Sequence, residues 1–194
     1  MTEQNYIQTA WTLEDLFTGF DDPAYETTFK EVEAGVEKFQ AYREQLSPDL
    51  SADQFIKIIT DYEHFYRMVA RLGGFAQLSF AADTQDEKFQ AHVARVDQFQ
   101  AEVNNKTIFF SLWWKALDDE NANRLLEAAG DLRYWLVAMR NFKEFTLSEP
   151  EEKIINIKDV TGVSALNMLY DSITNRYTFK IEVDGEEKEM TRGE

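Results

Sequence analysis

The chain has 194 residues and a formal net charge of −16, which argues against binding to nucleic acids or anionic membranes because both attract positive charge. Hydrophobic residues make up 44% of the chain and aromatic residues 14%, so the composition is not that of a disordered protein. The sequence has no cysteine, no signal peptide and no apolar run long enough to cross a bilayer, so we expect a cytoplasmic protein without disulfides or cysteine chemistry.

The first predicted helix follows an extended lead-in over residues 1–20. The lead-in ends in a short helical turn at residues 11–17, whose apolar side chains share one side. Asp21-Asp22-Pro23 then supplies an acidic cap and a proline in the first turn. Apolar residues recur at spacings of three and four as far as about Leu46. We therefore expect an amphipathic helix that ends before Ser47-Pro48-Asp49.

A second, longer helix is predicted from Ser51, because Ser51 and Gln54 form a capping box. Its apolar face is unusually rich and consists of Phe55, Ile58, Ile59, Tyr62, Phe65, Tyr66, Val69 and Leu72. Gly73-Gly74 then interrupts the pattern, at a cost of roughly 1 kcal/mol per glycine relative to alanine. The pair indicates either a hinge or close approach of a ligand, or else a tight helix crossing or bend. We favour the second interpretation.

The third helix is predicted to begin after Asp83 or Thr84, since either residue suits the cap position. Its apolar stripe consists of Phe89, Val93, Val96, Phe99 or Gln100, Val103, Phe110 and Trp113 or Trp114. A stripe of this length predicts a long helix that runs antiparallel to the second. Two shorter helical segments then follow, separated at Gly130-Asp131.

The C-terminal stretch predicts two more helices and a β-hairpin. Ser148 and Glu151 form a capping box, Gly162 ends or bends the helix that they start, and a further helix covers residues 163–173. Strict alternation then places four apolar side chains on one strand face, namely Tyr177, Phe179, Ile181 and Val183. Asp184-Gly185 suits a two-residue hairpin turn. The apolar face needs a partner, because two strands alone are marginal in water.

These elements predict a mainly α protein, in which long antiparallel helices form a bundle or layers and a small C-terminal β-hairpin follows. We expect one helical lobe over residues 1–194. Within it, residues 21–115 form the long-helix bundle, residues 116–175 the shorter helices and residues 176–191 the hairpin.

The two histidines give little evidence of a reactive site. His64 lies in an aromatic stretch and is interpreted as a core-edge residue rather than a ligand or base, whereas His92 is placed on an ordinary exposed helix surface. A cryptic metal-dependent enzyme would need both of them. Ser148 and Thr161 have no histidine at a distance that suggests a nucleophile, so capping explains them.

The acidic groups Asp118-Asp119-Glu120, Glu151-Glu152 and Glu186-Glu187 lack the spacing and glycine of a calcium loop. We interpret them as helix caps and solvated surface. The aromatic group at residues 109–114 is assigned to the core, with an interface to another domain as the alternative. We therefore assign no catalytic, cofactor-binding or metal-binding residue.

Several short segments, taken together and in order, resemble the N-terminal region of oligoendopeptidase F, a member of the thimet-oligopeptidase-like M3 zinc metallopeptidases. They are residues 11–17, 70–72, 82–84, 109–113, 133–134, 147–155, 158–162, 169–171, 183–185 and 190–192. The catalytic motif of that family, His-Glu-x-x-His, is absent, because Phe65 follows His64 and Val93 follows His92.

The resemblance implies a non-catalytic lobe that helps to enclose a channel for short peptides. In the full-length family a bound zinc ion activates water, and the chemistry is expected to lie beyond Glu194. The expected partners are the catalytic domain, short peptides reached through the parent enzyme and further copies of this chain. The alternative is a stand-alone helical interaction module without enzymatic activity.

Overall fold

The computed structural model describes residues 12–183 and 185–191, and in this part the chain folds into seven α-helices and one β-hairpin. The helices are α1 Pro23–Gln40, α2 Ala52–Ala82, α3 Glu87–Ala116, α4 Asp119–Ala128, α5 Arg133–Arg140, α6 Glu149–Asp159 and α7 Ala165–Thr174. The strands are β1 Thr178–Val183 and β2 Glu186–Thr191. The predicted fold class is confirmed.

The first helix begins as predicted but ends earlier. Asp22 caps α1 by accepting a hydrogen bond from the backbone N–H of Ala24 at 2.8 Å. The helix stops at Gln40, and a 3₁₀ turn at Arg43–Gln45 replaces the predicted continuation to about Leu46. Leu46 still packs against the core from this turn. This explains why the apolar pattern in the sequence continues beyond the last residue of the helix.

The interruption predicted at Gly73-Gly74 is wrong, because α2 runs without a break from Ala52 to Ala82. A Cβ atom built on Gly73 would lie 2.6 Å from Nε2 of Gln100 on α3. The pair therefore lies at a tight helix crossing, as the favoured interpretation had it. The cap of α3 is also corrected: Asp86, rather than Asp83 or Thr84, accepts from the backbone N–H of Lys88 at 2.7 Å.

Two hydrophobic clusters hold the long helices together. The larger joins α1, α2 and α3 to α4 and α5, and its fully buried side chains include Phe39, Phe55, Phe110, Trp114 and Leu136. The smaller lies where the lead-in meets α1, α2 and α3, and its members include Phe17, Tyr25, Leu72, Phe75 and Val96. Both α6 and the helical turn that follows it pack on α3.

The C-terminal elements follow the prediction with one correction. Ser148 and Glu151 form the capping box, in which the backbone N–H of Ser148 donates to Glu151 Oε2 at 3.0 Å. Gly162 neither ends the helix nor adopts a left-handed conformation; it lies in a π-helical turn, Val160–Ser164, that joins α6 to α7. Val183 pairs with Glu186 across a two-residue turn, in which Gly185 has a φ of 81°.

Two glycines at helix crossings give a matched test of packing. An alanine at Gly35 would place its Cβ 3.0 Å from Cβ of Phe65, which is fixed to the α2 backbone, whereas an alanine at Gly73 would meet the end of a flexible side chain. Both changes gain about 1 kcal/mol of helix propensity. We expect Gly73→Ala to raise the free energy of unfolding by ~0.5–1 kcal/mol. The Gly35→Ala variant should be less stable than the Gly73→Ala variant by at least ~1 kcal/mol. Urea unfolding measures both; equal stabilities would contradict the crossing geometry.

Candidate functional site

The structure separates the two histidines and gives each a different setting. His64 lies on the exposed side of α2, in a groove that Glu31, Lys38 and Asp61 also line, so its assignment to the edge of the core is wrong. His92 is half-buried on α3 and stacks on Phe20, with ring centroids 3.6 Å apart and planes 6° apart. Its assignment to an ordinary exposed surface is therefore also wrong.

His92 belongs to the aromatic cluster around the lead-in. The Tyr25 ring lies edge-on to it at 5.7 Å, and both His92 Nδ1 and the Tyr25 hydroxyl are buried without a hydrogen-bond partner in the described part of the chain. Burial, and next to it the charge of Arg95, lower the pKa of His92, whereas Glu26 and Asp21 act in the opposite direction. The neutral imidazole is therefore the form that suits this cluster.

The lowered pKa predicts a loss of stability on acidification. The unfolded chain binds a proton at His92 near the ordinary pKa of 6.5, and the folded chain binds it only at lower pH. The free energy of unfolding therefore falls as pH drops below about 6.5, by at most ~1.4 kcal/mol per pH unit for one proton. Urea titrations at pH 7.5, 6.5 and 5.5 measure this fall.

We expect His92→Phe to reduce that pH dependence, because phenylalanine keeps a ring against Phe20 but does not titrate. His64→Gln is the matched control, since it removes the other imidazole from an exposed position. An unchanged pH profile in His92→Phe would contradict the assignment.

The described residues do not fit a catalytic zinc ion. Such a site needs three protein ligands and an open fourth position. Within the described ranges no three His, Cys, Asp or Glu side chains converge as metal ligands. The His92 ring is moreover stacked against Phe20, so this imidazole serves in packing.

The acidic groups serve the capping and surface roles assigned to them from the sequence. Asp118 accepts from the backbone N–H of Asn121 at 2.9 Å and starts α4, and Arg140 pairs with Asp119 at 2.6 Å. Glu152 accepts from the backbone N–H of Leu147 at 3.0 Å. On the hairpin, Lys180 pairs with Glu187 at 2.7 Å.

The aromatic group at residues 109–114 lies in the core, as predicted. Phe109, Phe110 and Trp114 are buried, and Trp113 is half-buried beside them.

The exposed large hydrophobic side chains of the described residues all lie C-terminal to them. We call this set the C-terminal apolar surface; it comprises Tyr134, Val137, Phe142, Phe145, Leu147, Ile154, Ile155, Ile157, Val163, Leu166, Leu169, Tyr170, Ile173, Tyr177, Phe179 and Ile181. Monomeric proteins rarely expose so many apolar side chains over neighbouring elements. The surface is therefore the strongest candidate for an interface.

The most regular part of this surface is on α7. Leu166, Leu169, Tyr170 and Ile173 repeat at the helical spacing of three and four and are 44–65% exposed; we call them the α7 stripe. Met168, on the same helix, packs against the smaller core cluster. One side of α7 therefore contacts the core, and the α7 stripe forms a second apolar face that is exposed. On the hairpin, Phe179 and Ile181 are also about half exposed.

No helix in the described ranges is at once long and apolar enough to cross a membrane.

Comparisons with known proteins place this surface in a family context. Residues 113–179 match the N-terminal family model of the M3 peptidases, described as Oligopeptidase F. The crystal structure of oligoendopeptidase-F from Enterococcus faecium is similar over 88% of this chain, with a TM-score of 0.68 and 18% sequence identity. This chain spans about a third of that protein, with 33% of it covered. No curated protein sequence matches the chain. The resemblance predicted from the sequence is confirmed, and the chain is similar to an oligoendopeptidase F N-terminal lobe.

Proposed function

We propose that this chain forms the non-catalytic N-terminal lobe of an oligoendopeptidase F-like zinc metalloendopeptidase and helps to enclose its channel for short peptides. The observation that carries the proposal is the overlap of two independent features. The C-terminal apolar surface covers residues 134–181, and the family match covers residues 113–179. The segment that matches the family model is thus also the segment that carries the exposed apolar side chains.

The proposed partner of this surface is the zinc domain of the same enzyme. An interface of stable size buries roughly 800 Å² on each side and has an apolar centre with a polar rim. The α7 stripe supplies such a centre, and the acidic strand β2, with Glu186, Glu187 and Glu189, supplies a polar edge. In this proposal zinc, water activation and the general base belong to that domain, and none of them is assigned to residues 12–191.

Two measurements test the proposal. The gene downstream of codon 194 is expected to encode His-Glu-x-x-His within the same reading frame. The purified 194-residue chain, supplied with zinc, is expected not to cleave short peptides. Chelator-sensitive cleavage by the chain alone would contradict its non-catalytic role, and a reading frame without the motif would favour the stand-alone interaction module.

A further inference from the structure

The β-hairpin has two open edges. Within the described ranges its strands pair only with each other, and every residue from Tyr177 to Glu182 is exposed. The edge of a sheet carries unpaired backbone N–H and C=O groups, which can pair with a further strand. Two strands alone are marginal in water, so the hairpin gains stability from such a strand. The side chains along each edge decide which strand can bind there.

The register of the hairpin determines which backbone groups point outward. Val183 pairs with Glu186 across the two-residue turn, and the residues that flank a turn of this length share a backbone hydrogen bond. Hydrogen-bonded and non-hydrogen-bonded pairs alternate along an antiparallel ladder. The backbone groups of Thr178, Lys180 and Glu182 therefore point away from β2 and form the free edge of β1.

The free edge of β1 is complementary to a second copy of itself. Two antiparallel registers bring outward-pointing residues opposite each other and pair more than three residues of β1. The register centred on Lys180 places this lysine opposite its own copy, which opposes like charges. The register centred on Ile181 instead places Lys180 of each copy opposite Glu182 of the other. It also keeps Phe179 and Ile181 of both copies on one face. Charge thus selects a single register.

Glu182 lacks a counter-charge in its own hairpin. It lies opposite Glu187 on β2, and within the described ranges it takes part in no ion pair. Like charges directly opposite each other destabilise a strand pair. Lys180, by contrast, already pairs with Glu187 at 2.7 Å. In the register centred on Ile181, Lys180 of the second copy supplies the cation that Glu182 lacks.

The free edge of β2 does not accept a copy of itself. The same alternation makes the backbone groups of Glu187 and Glu189 point outward on this edge. Every antiparallel self-pairing of β2 over more than three residues then places glutamate opposite glutamate. Charges of this kind protect a strand edge from pairing. Self-pairing of the hairpin is therefore confined to β1.

We propose that two copies of this chain pair through β1, antiparallel and centred on Ile181, to form a four-stranded sheet. Exposed ion pairs contribute little energy, so they select the register, and the apolar side chains on the shared face hold the copies together. The α7 stripe lies just before β1 in the chain, and we assign it to the same interface. A twofold contact of this kind closes on itself and gives a dimer. The inference does not rest on the proposed function, because it involves two copies of this chain and no second domain.

Charge reversal tests the register. Lys180→Glu and Glu182→Lys each oppose like charges at both symmetric positions, so each should raise the dissociation constant of the homodimer about tenfold or more. An equimolar mixture of the two variants restores opposite charges at both positions and should form a heterodimer as tight as the parent homodimer. Analytical ultracentrifugation measures all three. Undiminished homodimers of the single variants, no heterodimer in the mixture, or a parent chain that does not dimerise would overturn the proposal.

Lys106→Glu and Glu127→Lys are the matched controls, because they change the net charge by the same amounts at exposed positions on α3 and α4. Each should dimerise as the parent does, and their mixture should show no preference for the heterodimer. A preference as strong as that of the β1 variants would show that net charge, rather than strand register, drives the pairing.

Amide hydrogen exchange locates the contact. In the proposed register the N–H groups of Lys180 and Glu182 donate to carbonyls of the second copy. Both amides should exchange about tenfold or more slowly at protein concentrations where the dimer dominates. The outward-pointing amides of Glu187 and Glu189 should keep their exchange rates. Dimerisation without protection of Lys180 and Glu182 would refute pairing through β1 and leave the association to the α7 stripe alone.

Discussion

Replacing Trp114 by alanine is expected to lower the free energy of unfolding by about 3–5 kcal/mol, the largest effect of any single substitution proposed for this chain. Small domains have a total stability of only about 5–15 kcal/mol. A loss of this size should lower the melting temperature by about 10 °C in a chain of this length. Differential scanning calorimetry or urea unfolding measures it directly.

The physical reason is that Trp114 connects three helices at once. Its ring is fully buried on α3 and stacks on Phe55 of α2 at 5.2 Å. Its Nε1 donates to the carbonyl of Leu136 on α5, and Arg140 of α5 returns a hydrogen bond to the Trp114 carbonyl at 2.6 Å. Truncation therefore leaves a cavity and removes the indole hydrogen bond to the Leu136 carbonyl.

The neighbouring Trp113 provides the matched control. Its Nε1 is buried without an acceptor in the described part of the chain, whereas that of Trp114 is paired. Phenylalanine at either position keeps a ring but removes the indole N–H. We expect Trp114→Phe to cost ~1–3 kcal/mol more than Trp113→Phe, because only the first removes a buried hydrogen bond, whereas the second removes a buried N–H that has no acceptor. Equal losses of stability in the two variants would show that the size of the side chain, and not its hydrogen bond, matters at both sites.

Local sequence signals predicted most of the helices and their caps. Asp22, Ser51 and Ser148 all act where the sequence placed a cap, because a capping interaction spans only two or three residues. The hairpin register also followed from alternation and from the two-residue turn. These features depend on neighbours in the sequence.

The errors share a different cause. Gly73 suggests a break because helix propensity depends on the residue alone, but α2 continues through it, and the glycine leaves room for Gln100 of the next helix. His92 looked exposed because its partner, Phe20, is 72 positions away in the sequence. The π-helical turn at Gly162 likewise has no local signature. At Gly73 and His92 the deciding contacts come from distant segments of the chain.

The candidate interface was predictable only in part. The alternation at Tyr177, Phe179 and Ile181 indicated an apolar hairpin face in need of a partner. The apolar spacing of the α7 stripe, by contrast, is the same as that of a helix face buried in a core. Only the packing of Met168 on the opposite side shows that Leu166 and Leu169 point away from the core.

The 194-residue chain is expected to associate with itself through the α7 stripe when no other domain covers it. The apolar side chains gain from leaving water, and the net charge of −16 opposes the approach of two copies. Association should therefore strengthen with salt, which screens the repulsion. An interface built on ion pairs would weaken with salt instead. Light scattering coupled to gel filtration, at 50 mM and 500 mM NaCl, separates the two.

The triple variant Leu166→Gln, Leu169→Gln, Ile173→Gln removes the apolar centre without adding charge. Each side chain is about half exposed, so its burial contributes ~1 kcal/mol per copy. In a symmetric dimer the six changes then cost about 6 kcal/mol, or roughly four orders of magnitude in the dissociation constant. Ala94→Gln, at an exposed position on α3 outside the C-terminal apolar surface, is the control and should leave association intact. If the unsubstituted chain is monomeric at high protein concentration and high salt, this role for the stripe is contradicted. The attraction between the apolar surfaces would then be too weak to hold two copies together.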